Sequence, residues 1–199
     1  MRLAIKEVID MSWPTIVIVC SLLSILRVTY VVGSDRRVFC LHKELLNLLF
    51  IIYLLVLFQL VTKHDMSYGG VNLVPFQEIL RYKFGSNEFF RQVFGNILLF
   101  VPFGYFATLY CRISKFSSIF FVSFLSSSTI EFVQRFIGRS FDVDDIILNV
   151  IGGIVGFLIC ISINAIKNHL PKFFQRDWFY NLLSLLLIVI AGFYLTKIL

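Results

Sequence analysis

Apolar residues in this chain gather into runs of about 20, the length an α-helix needs to cross a hydrocarbon layer roughly 30 Å thick. The runs fall at 13–32, 44–62, 94–111, 117–137, 146–166 and 180–199. That spacing predicts an all-α polytopic membrane protein with about six transmembrane helices. Composition agrees: 58% of the 199 residues are hydrophobic, 15% are charged, and the mean hydropathy is +0.86. A soluble domain of this size carries about a quarter charged residues. A disordered tail, a disulfide-rich secreted scaffold, a collagen and a coiled coil are excluded. The first run is too long for a signal peptide, and Gly33-Ser34-Asp35-Arg36-Arg37 after it is no small-residue cleavage site.

Between the second and third runs lies the longest stretch without a span, 63–93. Within it, 72–82 alternates apolar and polar groups, which predicts a short amphipathic surface helix beginning near Pro75. No repeat of fixed period and no low-complexity linker is visible, so one membrane domain, 1–199, is expected. Cys20, Cys40, Cys111 and Cys160 form no CxxC or Cys/His pair of metal spacing and are read as buried or reduced thiols. The net charge of +6 is ordinary for span-flanking lysines and arginines and gives no nucleic-acid face.

With six spans, the 63–93 stretch, the 138–145 loop and both termini share one side. Discounting the long loop, basic residues number eight on the opposite side against five on this one. The positive-inside rule then places the termini and the two loops outside the cytoplasm. Counting the long loop turns the vote to eight against nine, so the co-location of the two loops is the sturdier inference.

An ionisable group at a membrane span needs a partner or a task. Five of the twelve acids, Glu78, Glu131, Asp142, Asp144 and Asp145, gather at one membrane face. Glu131, Gln134 and Arg135 are spaced to share a helical face. After Gly138, Asp142, Asp145, Asn149 and Gly152 recur at i, i+3, i+7 and i+10, a stripe entering the fifth run. Gly152-Gly153-Ile154-Val155-Gly156 contains GxxxG, which admits another helix at close range. Asn96 opens the third run, and Pro102 and Gly104 weaken its helix. Asp144, next to Asp145, is expected to face elsewhere.

These segments carry a resemblance. Asn72-Leu73-Val74-Pro75-Phe76, the run Gly95 to Gly104, Ile130-Glu131-Phe132-Val133-Gln134 and the run Gly138 to Gly153 are four ordered motifs similar to those of the VanZ-like family. The likeness covers about 45–166, leaving one extra helix at each end. It implies a bacterial multi-pass membrane protein. The founding member is associated with low-level resistance to teicoplanin-type glycopeptides.

Three readings of the polar cluster follow. The favoured one is a ligand-binding cleft of Asn72, Glu78, Arg81, Asn96, Glu131, Gln134, Arg139, Asp142, Asp145 and Asn149. Arg139, with Arg135 and Arg81, would contact an anion, and Glu131 and Asp145 would be the principal charges. Its partners would be membrane lipids and a lipid-linked cell-wall precursor or lipoglycopeptide. The second is an intramembrane enzyme using Glu131 and Asp145, or a divalent ion on the carboxylates. His42, His64 and His169 lie outside the motifs and no nucleophile elbow, HExxH or P-loop occurs, so catalysis and a resident metal rank lower. The third is polar packing alone. A transporter would show inverted repeats and breaks at the midplane, whereas the polar groups here lie towards one surface.

Overall fold

The structure, a computed structural model, describes residues 40–62 and 70–198. The first predicted span, 13–32, lies outside the described residues, as does Cys20. Helix α1 is Leu41–Thr62, α3 is Asn87–Cys111, α4 is Phe116–Phe136 and α5 is Val143–His169. All four are long and apolar enough to cross a membrane, with 22, 25, 21 and 27 residues. A further helix, α6, runs Asp177–Ile198. The protein is an all-α polytopic membrane protein. All five of these helices start before the apolar runs suggest, α3 by the most, seven residues. In α3 the cause is Ser86, whose Oγ accepts from the Phe89 amide at 3.1 Å and so begins the helix on polar residues. A wider π turn, Phe90–Phe94, then joins that first turn to the α-helical part beginning at Gly95.

The short surface helix expected near Pro75 is present, at Gln77–Arg81, but the stretch before it holds a strand pairing that was not expected. Val71–Asn72 (β1) pairs in parallel with Phe141–Asp142 (β2), Val71 opposite Phe141 and Asn72 opposite Asp142. Phe76 then takes a left-handed backbone (φ +67), and only Gln77–Arg81 (α2) is helical. Two residues per strand are too few to show alternation, so nothing in the pattern announces the pairing.

The described residues form two compact units. In residues 54–163, α3, α4 and α5 meet through small residues. A Cβ at Gly104 would stand 2.0 Å from the Gly153 carbonyl oxygen, and one at Gly156 would stand 2.1 Å from that of Val101. Lipid is as apolar as leucine, so helices in a membrane gain from close backbone approach rather than from hiding apolar side chains. Large residues such as Leu98, Leu125, Phe132 and Phe136 accordingly stay exposed on the outer faces, where the acyl chains lie. In residues 40–53 and 164–198, the Lys43 ammonium meets Asp177 at 3.1 Å, and Asn181 Oδ1 accepts from the His42 backbone N–H at 3.1 Å. Cys40, Cys111 and Cys160 form no disulfide among the described residues.

Candidate ligand cavity

The end of α4 sets the first side chains. Glu131 and Gln134 face inward and are buried, whereas Arg135 is exposed and does not line the site. The basic residue that does is Arg139. Gly138 adopts φ +88, the Gly138 amide bonds to the Arg135 carbonyl at 3.3 Å, and the Arg139 amide bonds to the Gln134 carbonyl at 3.0 Å. These two bonds form a Schellman motif, the helix ending that a glycine at this position permits. It turns the chain back, and Arg139 Nη1 donates to the Leu60 carbonyl in the last turn of α1 at 3.2 Å. A cation there also meets the negative end of the α1 dipole.

With the Gln134 amide oriented to satisfy both its ends, its nitrogen donates to Glu131 Oε1 at 3.0 Å and its oxygen accepts from Arg139 at 3.1 Å. The other Glu131 oxygen accepts from the Asp142 backbone N–H at 3.1 Å. Asp142 in turn caps α5: its Oδ1 accepts from the Asp144 amide at 2.8 Å and from Asn72 Nδ2 at 2.9 Å. Burial pushes the Asp142 carboxyl above the usual aspartate range, against the pull of those two donors. From α3, Asn96 Nδ2 and Gln92 Nε2 both donate to Asp145 Oδ1, the latter at 3.4 Å.

These groups surround an open cavity of about 290 Å³. Six of the ten expected residues line it: Asn96, Glu131, Gln134, Arg139, Asp145 and Asn149. Asn72 and Asp142 lie beside it, joined to each other. Glu78 and Arg81 are not brought to it; they pair with one another at 3.1 Å on the surface of α2. Arg91 and Gln92 line the cavity and were not expected. For Gln92 the signal was its helical spacing from Asn96, i and i+4, concealed because Gln92 precedes the apolar run. Leu57, Leu60 and Val61 of α1 supply an apolar wall.

Asp144 does face elsewhere, and its task was not legible in the sequence. It is 1% exposed and accepts three backbone N–H groups, from Phe76 (2.5 Å), Glu78 (2.7 Å) and Ile79 (3.1 Å). One buried carboxylate thereby holds the 71–81 strap and its left-handed turn against α5. The proposed sharing of a divalent ion among the carboxylates gains no support, since each has separate donors. Among the described residues, no three acidic, histidine or cysteine side chains converge as a metal-binding group.

The chain matches the VanZ/LLP1 family model over residues 45–167. It belongs to the VanZ/LLP1 family. Neither the curated proteins nor the solved structures compared with it gave a match. The matched stretch takes in α1, the strap and α3 to α5, hence every cavity residue. At family level, a VanZ-like membrane protein is associated with glycopeptide resistance.

Proposed function

We propose that this VanZ/LLP1 protein sits in a bacterial cell membrane with the cavity and both termini on the extracytoplasmic side. There it contributes to resistance to teicoplanin-type glycopeptides and lipoglycopeptides by engaging a lipid-linked envelope molecule or the acylated drug. The observation that carries this reading is the two-sided lining of one cavity. Leu57, Leu60 and Val61 form an apolar wall, while Arg91 and Arg139, the acids Glu131 and Asp145, and the amide side chains of Gln92, Asn96, Gln134 and Asn149 form a polar one. A ligand with an acyl or polyprenyl tail and an anionic head matches both sides, and guanidinium groups suit phosphate or carboxylate oxygens.

Fluorescence binding to the purified full chain tests this with two probes, a polyprenyl-pyrophosphate cell-wall precursor and a lipoglycopeptide. Micromolar or tighter binding of at least one is expected, weakened about tenfold by Arg91→Ala, a change of roughly 1.4 kcal/mol. Absence of binding for both probes overturns the proposal. Cysteines introduced at Lys83 and Ser140 should label from the same, external face; labelling from inside sinks the stated orientation.

A further inference from the structure

Residues 71–84 belong to none of the span-length helices, yet they are apolar and open. Leu73, Val74, Phe76, Leu80 and Phe84 are all more than half exposed, Leu80 at 80% and Phe84 at 86%. The Phe76 ring is presented from a left-handed backbone, a conformation unfavourable for a bulky residue with a Cβ. Large apolar side chains held open in this way mark a surface that meets an apolar medium.

The backbone of the same stretch makes no use of water. Every amide from Val74 to Leu80 has an acceptor, Pro75 having no N–H to donate. Val74 donates to Asn72 Oδ1 at 3.1 Å, Gln77 to the Val74 carbonyl at 3.4 Å and Leu80 to the Phe76 carbonyl at 3.0 Å. Phe76, Glu78 and Ile79 donate to the buried Asp144. A loop in water can leave such groups to solvent and needs no buried carboxylate to take them. Irregular backbone within a bilayer has no solvent to turn to, and an amide without an acceptor is costly there. Charge agrees: Glu78 and Arg81, the two charged residues between Val71 and Tyr82, pair with each other.

The neighbouring surface identifies the medium as lipid. Phe90, Phe94 and Leu98, spaced i, i+4 and i+8, form an exposed stripe along α3, one of the span-length helices. Phe84 joins that stripe through Phe89. The ring centroids lie 5.2 Å apart between Phe84 and Phe89, and 6.2 Å apart between Phe89 and Phe94. The apolar surface of the strap therefore continues onto the face that α3 turns to the acyl chains. Lys83, exposed beside Phe84 and in no ion pair with a described residue, can extend its ammonium to a lipid phosphate.

We propose that the 71–84 strap is a membrane anchor that enters the phospholipid layer without crossing it, with Leu73, Val74, Phe76, Leu80 and Phe84 among the acyl chains and Asp144 as the acceptor that lets its backbone enter. The surface helix Gln77–Arg81 is then the end of a longer embedded element whose irregular part enters too. The anchor is independent of what the cavity binds.

The test uses the full chain in vesicles of dioleoyl phosphatidylcholine and phosphatidylglycerol. A Trp13→Phe, Trp178→Phe background carries one tryptophan at a time, from Val74→Trp, Leu80→Trp or Phe84→Trp, all at exposed positions. Replacing the lipid with its acyl-brominated form should cut the emission of each about twofold, whereas aqueous iodide should leave it nearly unchanged. Adding Asp144→Ala to the Leu80→Trp protein should reverse that order, because amides without an acceptor leave lipid for water. Asp144→Asn, which keeps one acceptor oxygen, should restore part of the quenching by lipid.

Quenching by iodide and not by brominated lipid, as a strap in water would give, overturns the proposal. Protection from both quenchers overturns it as well, since a protein surface such as a second copy of the chain would then cover the patch. A pattern unmoved by Asp144→Ala, in protein that still elutes as a single peak, removes Asp144 from its role and the backbone argument with it.

Discussion

The middle of the α3–α5 bundle and its polar end hold the same three helices by opposite means. At the middle, α3 and α5 touch where side chains are absent, and α4 meets Gly153 through the small side chain of Ser123. Gly104 meets Gly153, Gly152 meets Ile97 and Gly156 meets Val101, backbone against backbone. At the polar end, polar side chains dominate the joining: Gln92 and Asn96 of α3 on Asp145 of α5, and the chain Asn72, Asp142, Glu131, Gln134 and Arg139 at the end of α4. The first arrangement has no slack, because backbone atoms cannot rotate out of the way. The second can lose a member and redistribute. Rigidity at the middle sets the separation of the helices, and that separation leaves room at the end for a cavity.

The largest expected effect is therefore at the middle. Gly104→Val puts side-chain atoms where the Gly153 backbone stands. Overpacking against atoms that cannot move should cost about 3 kcal/mol or more, enough to remove the monodisperse peak in detergent gel filtration. A well-folded Gly104→Val protein would show that the junction is looser than described.

Asp144→Ala comes next, and its effect should be local. It strips the amides of Phe76, Glu78 and Ile79 of their acceptor, at about 1–3 kcal/mol, while the glycine junction is untouched. Hydrogen exchange should rise across 71–81 with α3 to α5 still protected. Uniform loss of protection would mean that the strap and bundle are one cooperative unit. Arg81→Ala, on the same strap but paired only at the surface with Glu78, should change stability by no more than about 0.5 kcal/mol.

Gly138→Ala asks a smaller question. The left-handed turn at φ +88 strains any residue with a Cβ, by about 1 kcal/mol. The fold should survive, but Arg139 should lose its place, and binding of the polyprenyl-pyrophosphate probe should fall several-fold. Unchanged affinity would remove Arg139 from the binding role.

The smallest effect is one of pH. The Asp142 carboxyl, raised by burial, holds its proton in the folded state at pH values where the unfolded chain has released it. Ionisation therefore destabilises the fold above the raised value, and this penalty fades as pH falls through that value to the ordinary aspartate range. Asp142→Asn keeps the acceptor oxygen for Asn72 and Asp144 and removes the penalty. Its melting temperature should exceed that of the parent at pH 7.5, with the gap closing as the solution is acidified to pH 4. A gap that widens on acidification contradicts the sign.

Sequence reading reached different depths in the two regions. Spans and small-residue contacts depend on hydropathy and on the absence of side chains, both local properties, so α1, α3, α4, α5 and the glycine stripe of α5 were visible in one dimension. Charge clustering was visible too, because charge is scarce in this chain. The partners of those charges were not. Arg135 has the helical spacing to join Glu131, yet Arg139 takes that place because Gly138 reverses the chain. Glu78 and Arg81 have the right chemistry but point outward. Gln92 precedes the apolar run, so hydropathy gives no sign of its place in the site.

The sequence by itself determined that the chain is a helical membrane protein of the VanZ-like type and that its acids gather in a few short motifs. Hydropathy and residue type act over a few neighbours and need no fold to be read. Only the tertiary structure decided which acids line a cavity and which one clamps the 71–81 strap. Those outcomes depend on where helix ends turn and how closely backbones approach, and residues 70 positions apart, such as Asn72 and Asp142, must meet before either question has an answer.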